Sequence, residues 1–216
     1  MLSGGLIENS ICALVGTYGT GKTMLALQFA YEGLSRGEKV IYISLEEREE
    51  LLRATMAQKG WDPGAFGDRF YLLKLDPTDF NLAINSIKSE LPALIESTGA
   101  SRVVIDPISL FEGLFEDESE RRREMFRFVE VMRDEACTLV LTSETCPGNP
   151  EESRYGIIEY LADTVILLRY IRSPGLTEVH LVLEVVKMRR SAHSREIKPF
   201  EILQDGILVH SEASLF

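Results

Sequence analysis

Residues 11–23 of the chain read ICALVGTYGTGKT. The apolar run from Ile11 to Val15 predicts a buried strand, and the residues from about Lys22 to Ser35 predict a helix. Four residues separate Gly16 from the Gly-Lys-Thr triplet, which is the spacing of a phosphate-binding loop. In such a loop, glycines let backbone N–H groups point at phosphate oxygens, and the N-terminus of the following helix adds partial positive charge. The stretch therefore predicts a strand–loop–helix unit that binds a nucleotide.

The residues of this loop have expected roles. Lys22 is predicted to reach the outer phosphates of ATP and to take part in catalysis, and the Thr23 hydroxyl is predicted to hold Mg²⁺. The alternative is a glycine-rich turn that arose by chance, but the order of strand, loop and helix argues against it. The whole loop is predicted to contact the nucleotide: Gly16, Thr17, Tyr18, Gly19, Thr20, Gly21, Lys22 and Thr23.

The rest of the chain alternates short apolar runs with amphipathic stretches, which is typical of repeated βα units and a parallel sheet. After residue 143 the strands follow one another without long helices and so predict antiparallel hairpins. We therefore expect an α/β fold in a single domain over residues 1–216: a mostly parallel central sheet flanked by helices, with antiparallel strands at its C-terminal edge. The predicted strands are 11–15, 40–45, 69–75, 102–106, 138–143, 164–170, 179–187, 197–203 and 207–210, and the predicted helices are 22–35, 48–59, 80–96 and 119–136.

Composition and charge exclude several classes of protein. The 216 residues include 23 Lys and Arg against 34 Asp and Glu, a net charge of −11, whereas a protein that binds duplex DNA with its whole surface is normally basic. No apolar run approaches the ~20 residues of a membrane helix, and residues 1–5 lack the features of a secretory signal. The three cysteines, Cys12, Cys137 and Cys146, lack metal-binding spacing and favour free thiols in a reducing cytoplasm.

Two predicted strands end in carboxylates that fit the chemistry of the loop. Asp106 ends the run RVVID, and because ligands of parallel sheets bind beyond the carboxyl ends of the strands, we expect it to bind the Mg²⁺. Glu46 and Glu47 end the strand 40–45, where a carboxylate can orient a water for attack on the γ-phosphate. Glu46 is the first choice as this base because it lies nearer the strand end. The alternatives are a turn-forming Asp106 and a solvated acidic start to the next helix.

Three further segments have a functional and a structural interpretation. Ser143 and Glu144 end another strand, where they are predicted to sense the phosphate, although polar groups satisfied locally at a strand end are as common. The basic stretch KMRRSAHSR at 187–195 is predicted to place Lys187 and Arg189 on the γ-phosphate of a neighbouring subunit. Its alternatives are an exposed basic turn and a strip for single-stranded nucleic acid. Residues 111–120 contain five acids and no base, and predict a solvated loop.

Together these motifs resemble the KaiC-like branch of the RecA superfamily of P-loop ATPases. The closest resemblance is to its single-domain archaeal members, some of which are described as paralogs of the recombinase RadA. The similarity covers nearly the full length of the chain. Besides the phosphate loop, its marks are the Glu46-Glu47 pair, RVVID at 102–106, TSE at 142–144, RYG at 154–156 running to Ala162-Asp163, and KMR at 187–189 with His193.

The resemblance implies a RecA-like P-loop core that binds ATP and Mg²⁺ at subunit boundaries, often in hexameric rings. Glu46 would correspond to the catalytic glutamate, and Lys187 and Arg189 to the residues that reach the adjacent nucleotide. Two departures matter. Tyr18 stands where the family has Pro or a small residue, and the family's segment before Gly4 is almost absent. Because the chain has one ATPase domain, the resemblance is not taken to imply a clock function.

We therefore expect a cytoplasmic, Mg²⁺-dependent ATPase that converts ATP slowly to ADP and phosphate. Its nucleotide state is expected to control assembly into a homo-oligomer or the binding of a partner. Two alternatives stay open: an accessory protein of DNA repair or recombination that binds single-stranded DNA, and a signalling scaffold that binds nucleotide without hydrolysing it. The DNA alternative rests on the recombinase-like core and the basic stretch, and the net charge of −11 opposes it.

Overall fold

The computed structural model describes residues 1–172 and 179–213. The strands in these ranges are β1 Ile11–Gly16, β2 Val40–Ser44, β3 Phe70–Lys74, β4 Arg102–Asp106, β5 Thr138–Ser143, β6 Thr145–Cys146, β7 Asn149–Ser153, β8 Thr164–Arg172, β9 Val179–Met188, β10 Lys198–Leu203 and β11 Gly206–Val209. The α-helices are α1 Lys22–Ser35, α2 Glu49–Gln58, α3 Phe80–Asn85, α4 Leu91–Thr98, α5 Ile108–Glu112, α6 Glu118–Asp134 and α7 Ile158–Leu161. A 3₁₀ segment covers Pro63–Arg69, and a π-helical turn covers Ser86–Glu90.

One sheet forms the centre of the molecule, with the strand order β11-β10-β9-β8-β1-β5-β4-β2-β3. The strands from β8 to β3 are parallel, whereas β9, β10 and β11 are antiparallel to their neighbours. This arrangement confirms the predicted fold class. The parallel strands all end at one edge, which we call the carboxyl edge. The phosphate loop, Glu46, Asp106 and Glu144 therefore lie along the same edge of the sheet.

Both faces of the sheet are buried, which explains why its central strands are apolar throughout. Ala13 and Val15 of β1 pack in a cluster with α4, α5, α6 and α7. Cys12 and Leu14, one residue out of step, pack on the other face with α1, α2 and β9–β11. Strand β1, which leads into the phosphate loop, is thus held rigidly from both sides.

The predicted helix 80–96 is divided in the structure. Pro92 has no amide hydrogen, so it cannot donate to the carbonyl four residues earlier, and a regular α-helix cannot continue through it. The backbone N–H of Leu91 instead donates to the carbonyl of Ser86, five residues back, as in a π-helix. The expected kink at Pro92 is therefore a π-helical turn between α3 and α4.

The prediction of a solvated loop at 111–120 is wrong at its start. Phe111 and Glu112 are fully buried in α5, which packs Phe111 against Phe128 of α6. The apolar pattern of Ile108 and Phe111 outweighs the acidic composition of the segment. The remaining acids, from Glu116 to Glu120, are exposed, and Asp117 caps α6 by accepting a hydrogen bond from the N–H of Glu120 at 2.8 Å.

Two small elements between β5 and β8 in the chain were not expected from the sequence. The β6–β7 hairpin and the single-turn helix α7 lie between β5 and β8. Their short lengths leave too little periodicity to detect from sequence. Among the residues that the structure describes, no helix combines the length and apolar character that a membrane crossing requires.

The buried carboxyl of Glu112 generates a prediction about pH and stability. Its two oxygens have no hydrogen-bond partner within the described residues, and burial, together with the nearby carboxylate of Glu159, raises its pKa from 4.5 to about 8. The folded protein therefore holds a proton that the unfolded chain releases, so stability falls as the pH rises through this window. Glu112→Gln removes the ionisable group. We compare the free energy of unfolding of Glu112→Gln with that of wild type at about pH 6 and at about pH 8. The difference between them is expected to shift by about 1–2 kcal/mol in favour of the variant as the pH rises.

The measurement is urea denaturation at both pH values. Glu116→Gln, at an exposed position a few residues away, is the matched control and should follow the pH dependence of the wild type. Parallel stability curves for Glu112→Gln and wild type would show that Glu112 does not titrate in this range.

Candidate functional site

The phosphate loop connects β1 to α1 in a conformation that requires glycine. Gly19 and Gly21 have φ angles of 72° and 88°, in the left-handed region that residues with a Cβ rarely adopt. At Gly16, a Cβ would lie 2.6 Å from the carbonyl oxygen of Leu168 on the neighbouring strand β8. The glycine pattern seen in the sequence therefore has a separate steric cause at each of these positions.

The C-terminal strands hold this loop from outside. The Tyr170 hydroxyl of β8 donates to the Tyr18 carbonyl at 2.6 Å, and a Cβ on Gly19 would lie 2.4 Å from the same hydroxyl. Ile202 of β10 packs against Gly21, where a Cβ would lie 3.0 Å from its Cδ1. The Tyr18 side chain is 85% exposed and does not line the cleft beside the loop, so its size leaves the loop accessible.

Lys22 is the first residue of α1, and its ammonium group turns back over the loop. Its Nζ donates to the Thr17 carbonyl at 2.9 Å, and the Thr20 hydroxyl donates to the same oxygen at 2.8 Å. Burial lowers the pKa of Lys22, an effect opposed by the carboxylates of Asp106, Glu144 and Glu46. The fold therefore brings four candidate residues from four segments of the chain close enough to interact electrostatically. They are Lys22, Glu46, Asp106 and Glu144.

Asp106 ends β4 as a buried carboxylate, 6% exposed, whose two oxygens both accept hydrogen bonds. The Tyr42 hydroxyl of β2 donates to Oδ2 at 2.6 Å, and the Thr142 hydroxyl of β5 donates to Oδ1. Burial and the adjacent negative charge of Asp106 raise the pKa of Tyr42 well above its ordinary value, so Tyr42 stays a donor. Sequence analysis missed Tyr42 because it stands inside an apolar strand without any motif.

The two glutamates after β2 differ in their surroundings. Glu47 lines the cleft with Lys22 and Thr23, and its pKa is raised by burial and by the carboxylates of Asp106 and Glu46. Its backbone carbonyl accepts a hydrogen bond from the Ser44 hydroxyl at 2.7 Å, which fixes the turn. Both side chains are exposed, and Glu46 is near enough to affect the pKa of Lys22, but it does not line the cleft. The geometry therefore favours Glu47 over the first choice from sequence, Glu46.

Ser143 and Glu144 are next to each other at the end of β5 but have different environments. Ser143 is fully buried, and its hydroxyl donates to the Glu144 carbonyl at 3.0 Å. The Glu144 carboxylate pairs with the Arg154 guanidinium at 3.2 Å, and the backbone N–H of Arg154 donates to the Glu144 carbonyl at 2.8 Å. Arg154 therefore joins the group around Lys22, although the sequence marked it only as part of a family motif.

The structure places Lys187 and Arg189 away from this group. Lys187 pairs with Val165 at the start of β8, and Val165 pairs with Ala13 of β1, three residues before Gly16. At about 3.3 Å per residue, Lys187 lies at least about 10 Å back along the sheet from the loop. Its ammonium group donates to the carbonyls of Glu159 and Ala162 at 2.8 and 2.6 Å, and Arg189 contacts Asp163 at 3.8 Å. Within one chain, these cations therefore lie at the edge of the sheet opposite to the carboxyl edge.

The loop and its neighbours enclose a cleft of about 310 Å³. The cleft fits a nucleotide with its Mg²⁺ in three respects: glycine backbone lines it, Lys22 supplies a positive charge, and hydroxyl and carboxylate oxygens stand beside it. The remaining lining residues are apolar or carry a hydroxyl group. The lining residues are Gly19, Gly21, Lys22, Thr23, Met24, Glu47, Thr55 and Ile202.

The chain is similar to known proteins over its whole length. A family model described as "ATPase: KaiC" matches residues 1–214. The circadian clock protein KaiC3 of Synechocystis sp. is 29% identical over 216 residues, which cover 95% of this chain and 42% of that protein. The clock oscillator protein KaiC of Parathermosynechococcus lividus is 30% identical over 213 residues, 94% of this chain and 39% of that protein. The chain thus spans about two fifths of the length of these relatives.

Two proteins of Pyrococcus horikoshii match in length as well. UPF0273 protein PH0284 is 28% identical over 230 residues, which cover 100% of this chain and 91% of that protein. The crystal structure of the KaiC-like protein PH0186 superposes with a TM-score of 0.84 at 30% identity, covering 97% of this chain and 93% of that one.

The bond between Tyr170 and the Tyr18 carbonyl yields a test of how the loop is held. Tyr170→Phe removes one hydrogen bond and leaves the ring in place, so we expect ATP to bind roughly 3- to 10-fold more weakly, the effect of about 1 kcal/mol. Affinity is measured by fluorescence with a labelled ATP. Tyr160→Phe, at an exposed tyrosine of α7, is the control. Equal affinities for Tyr170→Phe and wild type would mean that the loop keeps its shape without this bond.

Proposed function

The chain belongs to the KaiC family of ATPases, and we propose that it hydrolyses ATP slowly with Mg²⁺ and that its nucleotide state controls the assembly of its copies or the binding of a partner. Family membership makes it an ATP-binding protein of the KaiC and RecA type, in agreement with the resemblance seen in the sequence. The observation that supports hydrolysis is that the phosphate loop and Glu47 line one cleft at the carboxyl edge, with Asp106 near enough to affect the pKa of both Lys22 and Glu47.

Each group in the cleft has a role that its chemistry supports. The loop amides and Lys22 would bind the phosphates, and Thr23 and Asp106 would hold Mg²⁺, which supplies charge neutralisation when it is bound. Glu47 would orient the attacking water and accept its proton. Its raised pKa makes it a stronger base than an ordinary glutamate. Tyr42 and Thr142 keep the Asp106 carboxylate in one orientation.

The cation that completes the site is proposed to come from a second copy of the chain. Among the described residues that line the cleft, Lys22 is the only cation. An arginine on the transferred phosphate is worth about 10³–10⁵ in rate, so a single copy is expected to be slow. Lys187 and Arg189 stand at the opposite edge of the sheet, from which a head-to-tail neighbour could reach the cleft. This arrangement links hydrolysis to assembly, in a ring or another head-to-tail form.

Binding of single-stranded DNA is less well supported. A phosphate backbone is bound mainly by an excess of cations, whereas the chain carries a net charge of −11. Arg189 and Arg190 lie 3.8 and 3.9 Å from the buried carboxylate of Asp163.

Phosphate release by single variants tests the catalytic assignment. Lys22→Ala is expected to lose ATP binding and activity. Glu47→Gln keeps the side-chain volume and the phosphate loop, so it should bind ATP normally and lower kcat by about 10²-fold or more. Glu46→Gln is the matched control, with a smaller expected effect because Glu46 does not line the cleft. Activity in Lys22→Ala equal to wild type would exclude this site, and a larger loss in Glu46→Gln would return the base to Glu46.

A mixing experiment tests the contribution of the neighbouring copy. Arg189→Ala leaves the phosphate loop intact, and Lys22→Ala leaves the cations intact. Each protein alone should release phosphate at a small fraction of the wild-type rate, whereas a 1:1 mixture should recover up to about a quarter of it, because about one interface in four combines the two intact halves. Arg190→Ala is the matched control for Arg189→Ala, since both residues contact Asp163.

The readout is phosphate release at increasing protein concentration. A mixture that is no more active than the sum of its components would show that Arg189 does not act across a subunit boundary.

A further inference from the structure

The short helix α7 is bonded to two different parts of the chain through a single residue. The side chain of Glu159 holds Ser153 at the end of β7, and the backbone carbonyl of Glu159 holds the ammonium group of Lys187 on β9. The Glu159 side chain is therefore bonded to the hairpin that follows β5 at the carboxyl edge, and the Glu159 main chain is bonded to the basic stretch. Ile158 and Leu161, on the same turn, are buried in the core and fix the position of the helix.

The first set of bonds leads to the nucleotide cleft of the same subunit. The Glu159 carboxylate accepts hydrogen bonds from the backbone N–H of Ser153 and from its hydroxyl, the latter at 2.7 Å, and Ser153 is fully buried. Arg154 follows directly in the chain and is paired with Glu144, whose charge acts on Lys22. Through Ser153, the Glu159 carboxylate thus helps to hold Arg154, whose own backbone N–H is bonded to the Glu144 carbonyl.

The second set of bonds leads to the cations proposed to act on a neighbour. Lys187 donates to the carbonyls of Glu159 and Ala162 at 2.8 and 2.6 Å, and Arg189 donates to the carbonyl of Tyr160 at 3.1 Å. These carbonyls belong to α7 and the residue that follows it. A shift of this single turn would therefore move the acceptors of both cations together.

We propose that Glu159 is a positioning residue for two nucleotide sites: through Ser153 it sets Arg154 beside the nucleotide of its own subunit, and through the carbonyls of α7 it sets Lys187 and Arg189 for the nucleotide of the adjacent subunit. This inference rests on the proposed function, because it requires the cations to act across a subunit boundary. Four-residue helix α7 then links consecutive sites in an assembly. A nucleotide-dependent movement of Arg154 would reach the next site through one turn of helix.

The test adds Glu159→Ala to one component at a time of the mixture of Arg189→Ala and Lys22→Ala subunits. The nucleotide site of the Lys22→Ala subunit itself is inactive. Glu159→Ala in this subunit therefore affects activity only through the cations that the subunit contributes to the site of its neighbour. We expect a roughly tenfold loss of kcat there, with the KM for ATP unchanged. In the Arg189→Ala subunit the added change acts beside the working loop, and we expect a several-fold rise in the KM for ATP.

The split between kcat in one placement and KM in the other is the readout that a purely structural role would not produce. Glu152→Ala is the matched control, because Glu152 lies on the same hairpin and its carboxylate accepts a hydrogen bond from the Asn149 side-chain amide at 3.1 Å. Glu159→Gln keeps an acceptor for Ser153 and should restore most of the activity. If Glu159→Ala subunits do not fold, Ser153→Ala, which removes only the hydroxyl bond, is placed in the same two components with the same expected split.

The outcomes separate this inference from the proposed function. Recovery in the parent mixture with no effect of Glu159→Ala in either placement would overturn the role of Glu159 and leave the action between subunits standing. An equal loss in both placements, without the split, would assign Glu159 to general stability and also overturn the inference. A parent mixture without recovery would refute the action of the cations between subunits, and the role of Glu159 with it.

Discussion

Asp106 is a carboxylate that the fold buries at the carboxyl edge, and burial of a charge requires hydrogen bonds to replace its water. Tyr42 and Thr142 supply them from the two strands on either side of β4. The ends of three adjacent strands are thereby fixed relative to one another by side chains as well as by the backbone ladder. The turn that carries Glu47 follows the strand of Tyr42, and Glu144 follows the strand of Thr142. The positions of the other acids around Lys22 therefore depend on how Asp106 is bonded.

The charges at this edge explain why a single lysine is kept beside so many acids. The chain has a net charge of −11, and Asp106, Glu144 and Glu46 all act on Lys22. Burial alone would favour a neutral lysine, and these carboxylates favour its charged form. The same carboxylates repel the phosphates of ATP, and under the proposed function a divalent cation shared by Asp106 and Thr23 would offset this repulsion.

The parts of this structure that the sequence predicted are those in which one local pattern determines the outcome. The phosphate loop, the strand ending in Asp106, helix α1 and the parallel sheet each have a motif or a periodicity of sufficient length. Tyr42, Arg154 and the bonds of Glu159 could not be found in this way, because each depends on a partner more than five residues away. Glu112 was misjudged because its acidic neighbours suggested solvent, whereas the apolar residues Ile108 and Phe111 draw its helix into the core. Long-range packing decided these cases, and it leaves no signature in a short window of sequence.

Strand β8 gives the geometric basis for the proposal that one chain contributes to two sites. It is parallel to β1 and antiparallel to β9, so it is the border between the two halves of the sheet. Near its end Tyr170 reaches the phosphate loop, while near its start Val165 pairs with Lys187. The two positions are five residues apart, which corresponds to about 17 Å at the rise of an extended strand. A nucleotide bound by the loop and a cation presented by β9 would therefore stand on opposite sides of the same subunit, so the proposed action between copies requires head-to-tail repetition of the subunit.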